Sequence, residues 1–234
     1  MTKVIAINSS SRSDKKSKTK LMLNHLIKGM EKAGADVDLV NLRDKKIKYC
    51  AGCFSCWTKT PGKCVLKDDM TEEIFSQWKK ADLAIYATPL FCHHMNALMS
   101  TFQERLLPSV LPFFEFDSDR TVHPERDKRP DFVWMSVCGF PDISEFETFS
   151  NYNKRSSNKK LIAEIYRAAA ESMVDPKYKQ TLQNILDATE LAGIELIQSR
   201  KISQNTLITI TQPLDDQKTI AQEVNMHWQE QISG

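Results

Sequence analysis

Lys3-Val4-Ile5-Ala6-Ile7-Asn8, followed by Ser9-Ser10-Ser11-Arg12-Ser13-Asp14-Lys15-Lys16-Ser17-Lys18-Thr19, opens the chain and decides its class. The β-branched and apolar run from Lys3 to Asn8 meets a polar turn abruptly, the pattern of a short buried strand. Beyond the turn, Met22, Leu23, Leu26, Ile27 and Met30 recur at three- and four-residue steps. That is the apolar stripe of an amphipathic helix. Gly34 stands where a helix C′ residue is expected.

Strand and helix alternate from there. Val37 to Leu42 alternates apolar and polar residues and reads as a second strand, and residues 44 to 68 are irregular. Asp69 to Lys80 is predicted helical, with acidic residues at its positive end. Leu83 to Thr88 is a third strand that Pro89 is expected to halt, and Met95 to Leu107 a helix. Pro108 to Pro130 is a Pro- and charge-rich excursion, and Phe132 to Val137 a fourth strand. In the last third, Leu161 to Met173 and Lys177 to Leu191 are predicted helices, split at Pro176, with Gly193 capping the second. Glu195 to Ser199 is the predicted fifth strand and Lys218 to Gln231 a final helix, while Leu207 to Ile210 is too short to assign. Such alternation predicts a parallel sheet covered on both faces. Ligands in such sheets sit at the carboxyl ends of the strands.

Composition excludes several classes. The 234 residues carry 32 Lys and Arg against 30 Asp and Glu, a net charge of +2, which does not mark a dedicated nucleic-acid binder. With 41% hydrophobic and 26% charged residues, the chain is not wholly disordered. Mean hydropathy is −0.41, and no apolar run approaches the ~20 residues of a membrane helix. The N-terminal apolar run is only about four residues, unlike a signal peptide. A cytoplasmic protein with no nucleic-acid or membrane partner is expected.

Six cysteines are present, at positions 50, 53, 56, 64, 92 and 138. A chain of this size does not need disulfide staples, so clustered thiols read as metal-binding or redox groups. Cys50-x2-Cys53-x2-Cys56-x7-Cys64 places four in one loop. Three readings stand: an iron–sulfur cluster, free or redox-active thiols, and zinc, which more often takes two separated Cys-x2-Cys pairs. Cys92 and Cys138 sit singly at strand ends and are not expected to join a metal centre.

The first loop holds hydroxyls at positions 9, 10, 11, 13, 17 and 19 and bases at 12, 15, 16 and 18. It runs from a strand into a helix N-terminus, where backbone N–H groups and the helix dipole favour an anion. A phosphate monoester site is one reading; a solvated loop with a Ser or Thr N-cap is the other. No Gly-x-x-x-x-Gly-Lys is present, which argues against a nucleoside-triphosphate loop.

Taken together, these residues resemble the FMN phosphate loop of flavodoxin-like NAD(P)H-dependent FMN reductases. That family reads Gly-Ser-Pro-Arg, a few residues, then Gly or Ser, Asn and Thr. Ser10, Arg12, Ser17 and Thr19 match, while Ser9, Ser11 and Lys18 stand where the family has Gly, Pro and Asn. Thr88-Pro89-Leu90-Phe91-Cys92-His93-His94 is similar to the family's Thr-Pro-Leu-Tyr segment, and Ser136-Val137-Cys138-Gly139-Phe140-Pro141 to its third loop. The cysteine motif, with Lys67-Asp68-Asp69-Met70 after it, resembles that of the iron–sulfur flavoprotein branch, which holds a 4Fe-4S cluster. The resemblance runs from residue 3 to about residue 200.

The resemblance implies a flavodoxin-like doubly wound α/β three-layer sandwich with a parallel sheet of about five strands. It implies one FMN-binding domain over 1–234, with the cysteine-rich loop at 44–68 and a helical C-terminal extension. Ser10, Arg12, Ser17, Lys18 and Thr19 would hold the FMN phosphate. Pro89, Leu90, Phe91, Cys92, His93 and His94, and Cys138, Gly139 and Phe140, would flank the ring. By their residue type alone, paired histidines at a strand end are more often packing or surface residues, and Cys138 suits a small buried hydrophobe. NAD(P)H would be the co-substrate and a small molecule or protein the electron acceptor. Flavin performs the difficult step, so no catalytic side chain is assigned. The alternative is a non-enzymatic electron carrier between protein partners. A cluster, if held, would take Cys50, Cys53, Cys56 and Cys64. Members of this kind form dimers or tetramers, so a homo-oligomer is expected. The polar stretches 108–130 and 143–160 read as surface loops, with a cover for the flavin or a subunit contact as the other reading.

Overall fold

β1 (Lys3–Asn8) is buried from Val4 to Asn8, and its side chains alternate between two cores. The computed structural model describes residues 1–117, 120–157 and 159–233; positions 118 and 119 of the first polar stretch and 158 of the second lie outside them. β1 feeds α1 (Lys18–Lys32), which ends before Gly34 at φ 85° and leads to β2 (Asp36–Asn41). After the cysteine-bearing segment a π turn, Met70–Ile74, continues into α2 (Phe75–Lys80). β3 (Leu83–Phe91), β4 (His94–Met95) and α3 (Ala97–Glu104) follow. The excursion holds a small antiparallel hairpin, β5 (Glu115–Asp117) and β6 (Arg120–Val122). The chain then runs through β7 (Asp131–Val137), α4 (Glu147–Ser156), β8 (Leu161–Arg167), α5 (Lys179–Ser199), α6 (Gln204–Thr211) and α7 (Gln217–Ser233).

The main sheet runs β2-β1-β3-β7-β8, with all of these neighbours parallel. This is the flavodoxin-like doubly wound order, in which the winding direction reverses between β1 and β3 and opens a crevice there. One face packs Val4, Ala6, Met135 and Ile165 against Leu26 and Met30 of α1 and Ile185 and Leu196 of α5. The other packs Ile5, Ile7, Tyr86 and Trp134 against Trp78, Phe102 and Phe149. A fully buried side chain such as Ile5 or Phe102 contributes roughly 1.5–3 kcal/mol.

Several elements differ from the sequence expectation. Pro89 does not end β3; it pairs with Val137 of β7. The β1 ladder stops at Asn8 opposite Ala87, so past that point only one flank of β3 is paired by the sheet and a missing N–H is tolerated. Leu161 to Arg167 is the fifth strand and not a helix. Its apolar residues satisfy helical steps, but Glu164 is met at strand spacing by Tyr166 Oη at 2.6 Å and by Ser150 Oγ of α4 at 2.7 Å. Glu195 to Ser199 is the last turn of α5 and not a strand, because Leu196 extends the stripe of Ile185, Leu186, Thr189 and Ala192. Gly193 is therefore no cap. It lies at the crossing of α1 and α5, where a Cβ would stand 2.1 Å from the Leu26 carbonyl oxygen.

Candidate functional site

A cleft of about 1290 Å³ opens beyond the carboxyl ends of the parallel strands. Its first wall comes from the loop after β1. Ser17 is the N-cap of α1 and accepts from Lys20 N at 3.0 Å, while its hydroxyl donates to Ser10 Oγ at 2.7 Å. The first turn of α1 contains no acidic residue and begins Lys18-Thr19-Lys20. A helix N-terminus favours negative charge, and the first turn of α1 supplies none. The loop is braced from below: Asn8 Oδ1 accepts from Ser10 N at 3.1 Å, and Asn96 Nδ2 donates to Ser9 O at 2.7 Å. Arg12, Ser13, Lys16 and Lys18 line the cleft, and Arg12 forms an ion pair with Glu171 across it.

The second wall is the β3–β4 turn. Cys92 and His93 both have left-handed backbones, φ 49° and 59°, as a two-residue type I′ turn requires. Neither is Gly or Asn, so each costs of order 1–3 kcal/mol. Leu90, Cys92 and His93 line the cleft, and His93 Nδ1 lies 3.1 Å from Glu145 Oε2. Asn96 then caps α3 by accepting from Met99 N at 3.2 Å.

The third wall is Cys138-Gly139-Phe140. It is stitched to the stretch after β8: Cys138 N donates to Arg167 O, and Ala170 N to Cys138 O at 2.8 Å. Burial pushes the Cys138 thiol up to about 11. A Cβ on Gly139 would meet nothing nearer than Glu171 Cγ at 3.9 Å, so the space over this backbone is open to the cleft. Flat, partly apolar walls and a basic end with helix amides suit a molecule with a planar ring and a phosphate.

Of the residues singled out from sequence, Arg12, Lys18, Leu90, Cys92, His93, Cys138, Gly139 and Phe140 line this cleft. Ser10, Ser17 and Thr19 are buried behind the first wall and do not line the cleft. Pro89 sits in the ladder, and Phe91 is 57% exposed outside the lining. His94 turns away to pack edge-on against Tyr152 at 4.4 Å and Phe149 at 5.5 Å, where burial lowers its pKa. Glu145 and Glu171, and Val224, Asn225, His227 and Trp228 of α7, also line the cleft. The final helix was expected over Lys218 to Gln231, but no sequence signal placed α7 at the cleft, because that position is set by long-range packing. The brace Asn8 was legible only as the end of a strand.

The cysteine loop forms a separate place. Cys50, Cys53, Cys56 and Cys64 all border one small cavity of about 20 Å³, with Arg105, Leu107 and Pro108 at the far end of α3. Left-handed Gly52 and Phe54 fold the chain about Cys53. Cys53 is exposed and its hydrogen bonds with Ser55 lower its pKa, whereas burial, then the neighbouring thiols, raise that of Cys56. Among the described residues no three ligating side chains are grouped tightly enough for a single ion. The four sulfurs are thus not preassembled around one centre, as tetrahedral zinc at about 2.3 Å would require. Their number equals the four thiolates that a 4Fe-4S cluster takes, one at each iron. None of these cysteines lines the strand-end cleft.

Residues 2–114 match the family described as NADPH-dependent FMN reductase. An iron-sulfur flavoprotein of Archaeoglobus fulgidus is 39% identical over 87 residues, covering 37% of this chain and 38% of the relative. One from Methanocaldococcus jannaschii is 30% identical over 111 residues, covering 47% of this chain and 55% of the relative. The chain thus spans well under two thirds of these relatives. Among solved structures, an NAD(P)H:quinone oxidoreductase from Methanothermobacter marburgensis superposes with TM-score 0.60 at 13% identity, covering 83% of this chain and 95% of that one. An FMN-dependent NADH-azoreductase from Bacillus anthracis, solved with FMN, gives 0.59 at 18% identity over 84% and 100%. Those two similarities establish the fold.

Proposed function

We propose, from the match of residues 2–114 to the NADPH-dependent FMN reductase family, that the chain is an FMN-dependent oxidoreductase that takes hydride from NAD(P)H and passes electrons to a small-molecule or protein acceptor. The observation that carries this is the single cleft gathering the loops after β1, β3 and β7, basic at one end and open over Gly139. Bound FMN would supply hydride acceptance and electron release. The residues of this chain bind and orient it. Arg12 and Lys18 of the cleft lining would meet its phosphate with charge and the start of α1 with amides, with Ser10, Ser17 and Thr19 buried behind them. Leu90, Cys92 and His93 confine the ring from one side, with Cys138, Gly139 and Phe140 on the other. Val224 and Trp228 of α7 also border the cleft. The buried Cys138 thiol stays protonated at neutral pH and takes no nucleophilic part.

The four loop cysteines support a second element of the reading, a 4Fe-4S cluster on Cys50, Cys53, Cys56 and Cys64, which would store single electrons. Relatives named iron-sulfur flavoproteins support it too. The cysteine cavity lies at the end of α3 remote from Asn96 and the cleft, about 12 Å along an eight-residue helix. Exchange between the two centres is then served best by a second subunit, in a homo-oligomer that sets one chain's cysteine loop beside its partner's cleft.

Anaerobic mixing of the FMN-loaded protein with NADPH or NADH tests the enzyme reading. Loss of the visible flavin absorbance on a turnover timescale is expected. Indifference to both nucleotides, with fast reduction by a one-electron carrier protein, would replace it with an electron carrier.

A further inference from the structure

Arg105, just past the end of α3, forms a buried ion pair with Asp68, and the side chains are 1% and 2% exposed. Arg105 Nη1 donates to Asp68 Oδ2 at 2.6 Å and to Lys48 O at 2.7 Å, and Nη2 donates to Asp68 Oδ1 at 3.1 Å. Asp68 also accepts from Lys48 N at 2.9 Å. The chain is therefore pinned to the end of α3 just before Cys50 and again just after Cys64. A buried pair of this kind is a poor source of stability, since an apolar pair of similar volume serves as well or better. Its presence beside the cysteine cavity calls for another account.

The donor inventory supplies one. A guanidinium has five N–H groups. The Nε–H of Arg105 is buried and makes no well-aligned hydrogen bond, while the Cys64 thiol lies close enough to interact with the guanidinium. Arg105 borders the same cavity as the four cysteines, and its guanidinium lies beside Cys64. A buried donor left without an acceptor costs about 1–3 kcal/mol, more when charged. An acceptor within the cavity removes that cost.

We propose that Arg105 is a positioning residue for the cluster: its Nε–H donates to a sulfur in the cysteine cavity, and its charge, opposed by Asp68, sets the cluster's reduction potential. The inference rests on the cluster reading above. Reduction adds one electron to the centre, so a nearby positive charge and a donor to sulfur stabilise the reduced form. Asp68 acts in the opposite sense. The two residues thus form a matched pair of opposing influences rather than a simple clamp.

The test uses the full-length protein purified anaerobically. Iron and sulfide are assayed first; about four of each per chain are expected, and their absence overturns the cluster reading and this proposal together. Midpoint potentials are then measured by spectroelectrochemistry for the native protein, Arg105→Lys and Asp68→Asn. Arg105→Lys keeps a cation beside Asp68 but removes the Nε–H, and its midpoint falls. Asp68→Asn keeps an acceptor but removes the negative charge, and its midpoint rises. Equal midpoints, or shifts of the same sign in both, would overturn the proposal while the iron content leaves the cluster reading standing. If one variant fails to fold, the sign of the other decides.

Discussion

Arg12 and Glu171, 159 positions apart, form an ion pair across the mouth of the cleft. Arg12 lies in the loop after β1, whereas Glu171 follows β8. Both are about half exposed, so the pair itself adds little stability. Its consequence lies in binding, because a phosphate at the start of α1 must compete with Glu171 for the guanidinium. Arg12→Gln is expected to weaken FMN binding about tenfold, roughly 1.4 kcal/mol. Glu171→Gln is expected to tighten it a few-fold. Fluorescence titration of both variants checks this, and equal affinities would remove Arg12 from the site.

Helices α1 and α5 cross at Gly29 and Gly193. A Cβ on Gly29 would stand 1.8 Å from the Glu190 carbonyl oxygen. Backbone atoms cannot yield as a side-chain tip can, so either glycine changed to Ala must part the helices. Gly193→Ala is predicted to lower unfolding stability by about 1–3 kcal/mol. Urea unfolding measures it; Gly34→Ala, at a helix end with open space around it but φ 85°, tests the separate cost of a left-handed backbone.

How much of this was legible follows from the range of the forces involved. β1, its loop and α1 announce themselves because strand, turn and cap are local patterns, and the cleft residues on those loops were readable with them. β8 was not legible. Leu161, Ile162 and Ile165 fit helical spacing, and the decision for strand comes from pairing with β7 and from Ser150 and Asn153 of α4 meeting Glu164. Gly193 was read as a cap because nothing local reveals a helix crossing. Trp228 and Glu171 reach the cleft only through packing of elements far apart in sequence. The spacing of the cysteines was plain, but their seat against Arg105 was not, because it depends on how a 25-residue loop folds back on α3.

In the metal-free protein, thiol chemistry should sort the cysteines. Cys53 is exposed with a lowered pKa, while Cys138 is buried and pushed up to about 11. Only the thiolate reacts. Alkylation at neutral pH followed by peptide mapping should label Cys53 first among the loop thiols and Cys138 last of all. Early labelling of Cys138 would mean that the third wall is loose.

Acid should reveal the buried pair. Burial tends to raise the Asp68 carboxyl, but the hydrogen bonds from Arg105 and the Lys48 amide outweigh it and hold it below the ordinary value of 3.8. A depressed folded pKa contributes stability above the unfolded value that is lost as pH falls through the folded one. Native protein should therefore lose stability steeply below about pH 4. Asp68→Ala should be destabilised by roughly 3–5 kcal/mol at neutral pH and show a shallower acid limb. A limb unchanged in that variant would contradict the assignment.

The most direct test of the cleft is equilibrium titration with FMN of the native protein and Gly139→Leu, side by side. A Cβ added at position 139 would meet nothing nearer than Glu171 Cγ at 3.9 Å, so the substitution begins without a clash. The native protein should quench FMN fluorescence to an endpoint of one per chain, while Gly139→Leu should unfold like the native protein and bind at least tenfold more weakly. Equal FMN binding by both, or none by the native protein, would contradict the assignment of this cleft as the flavin site.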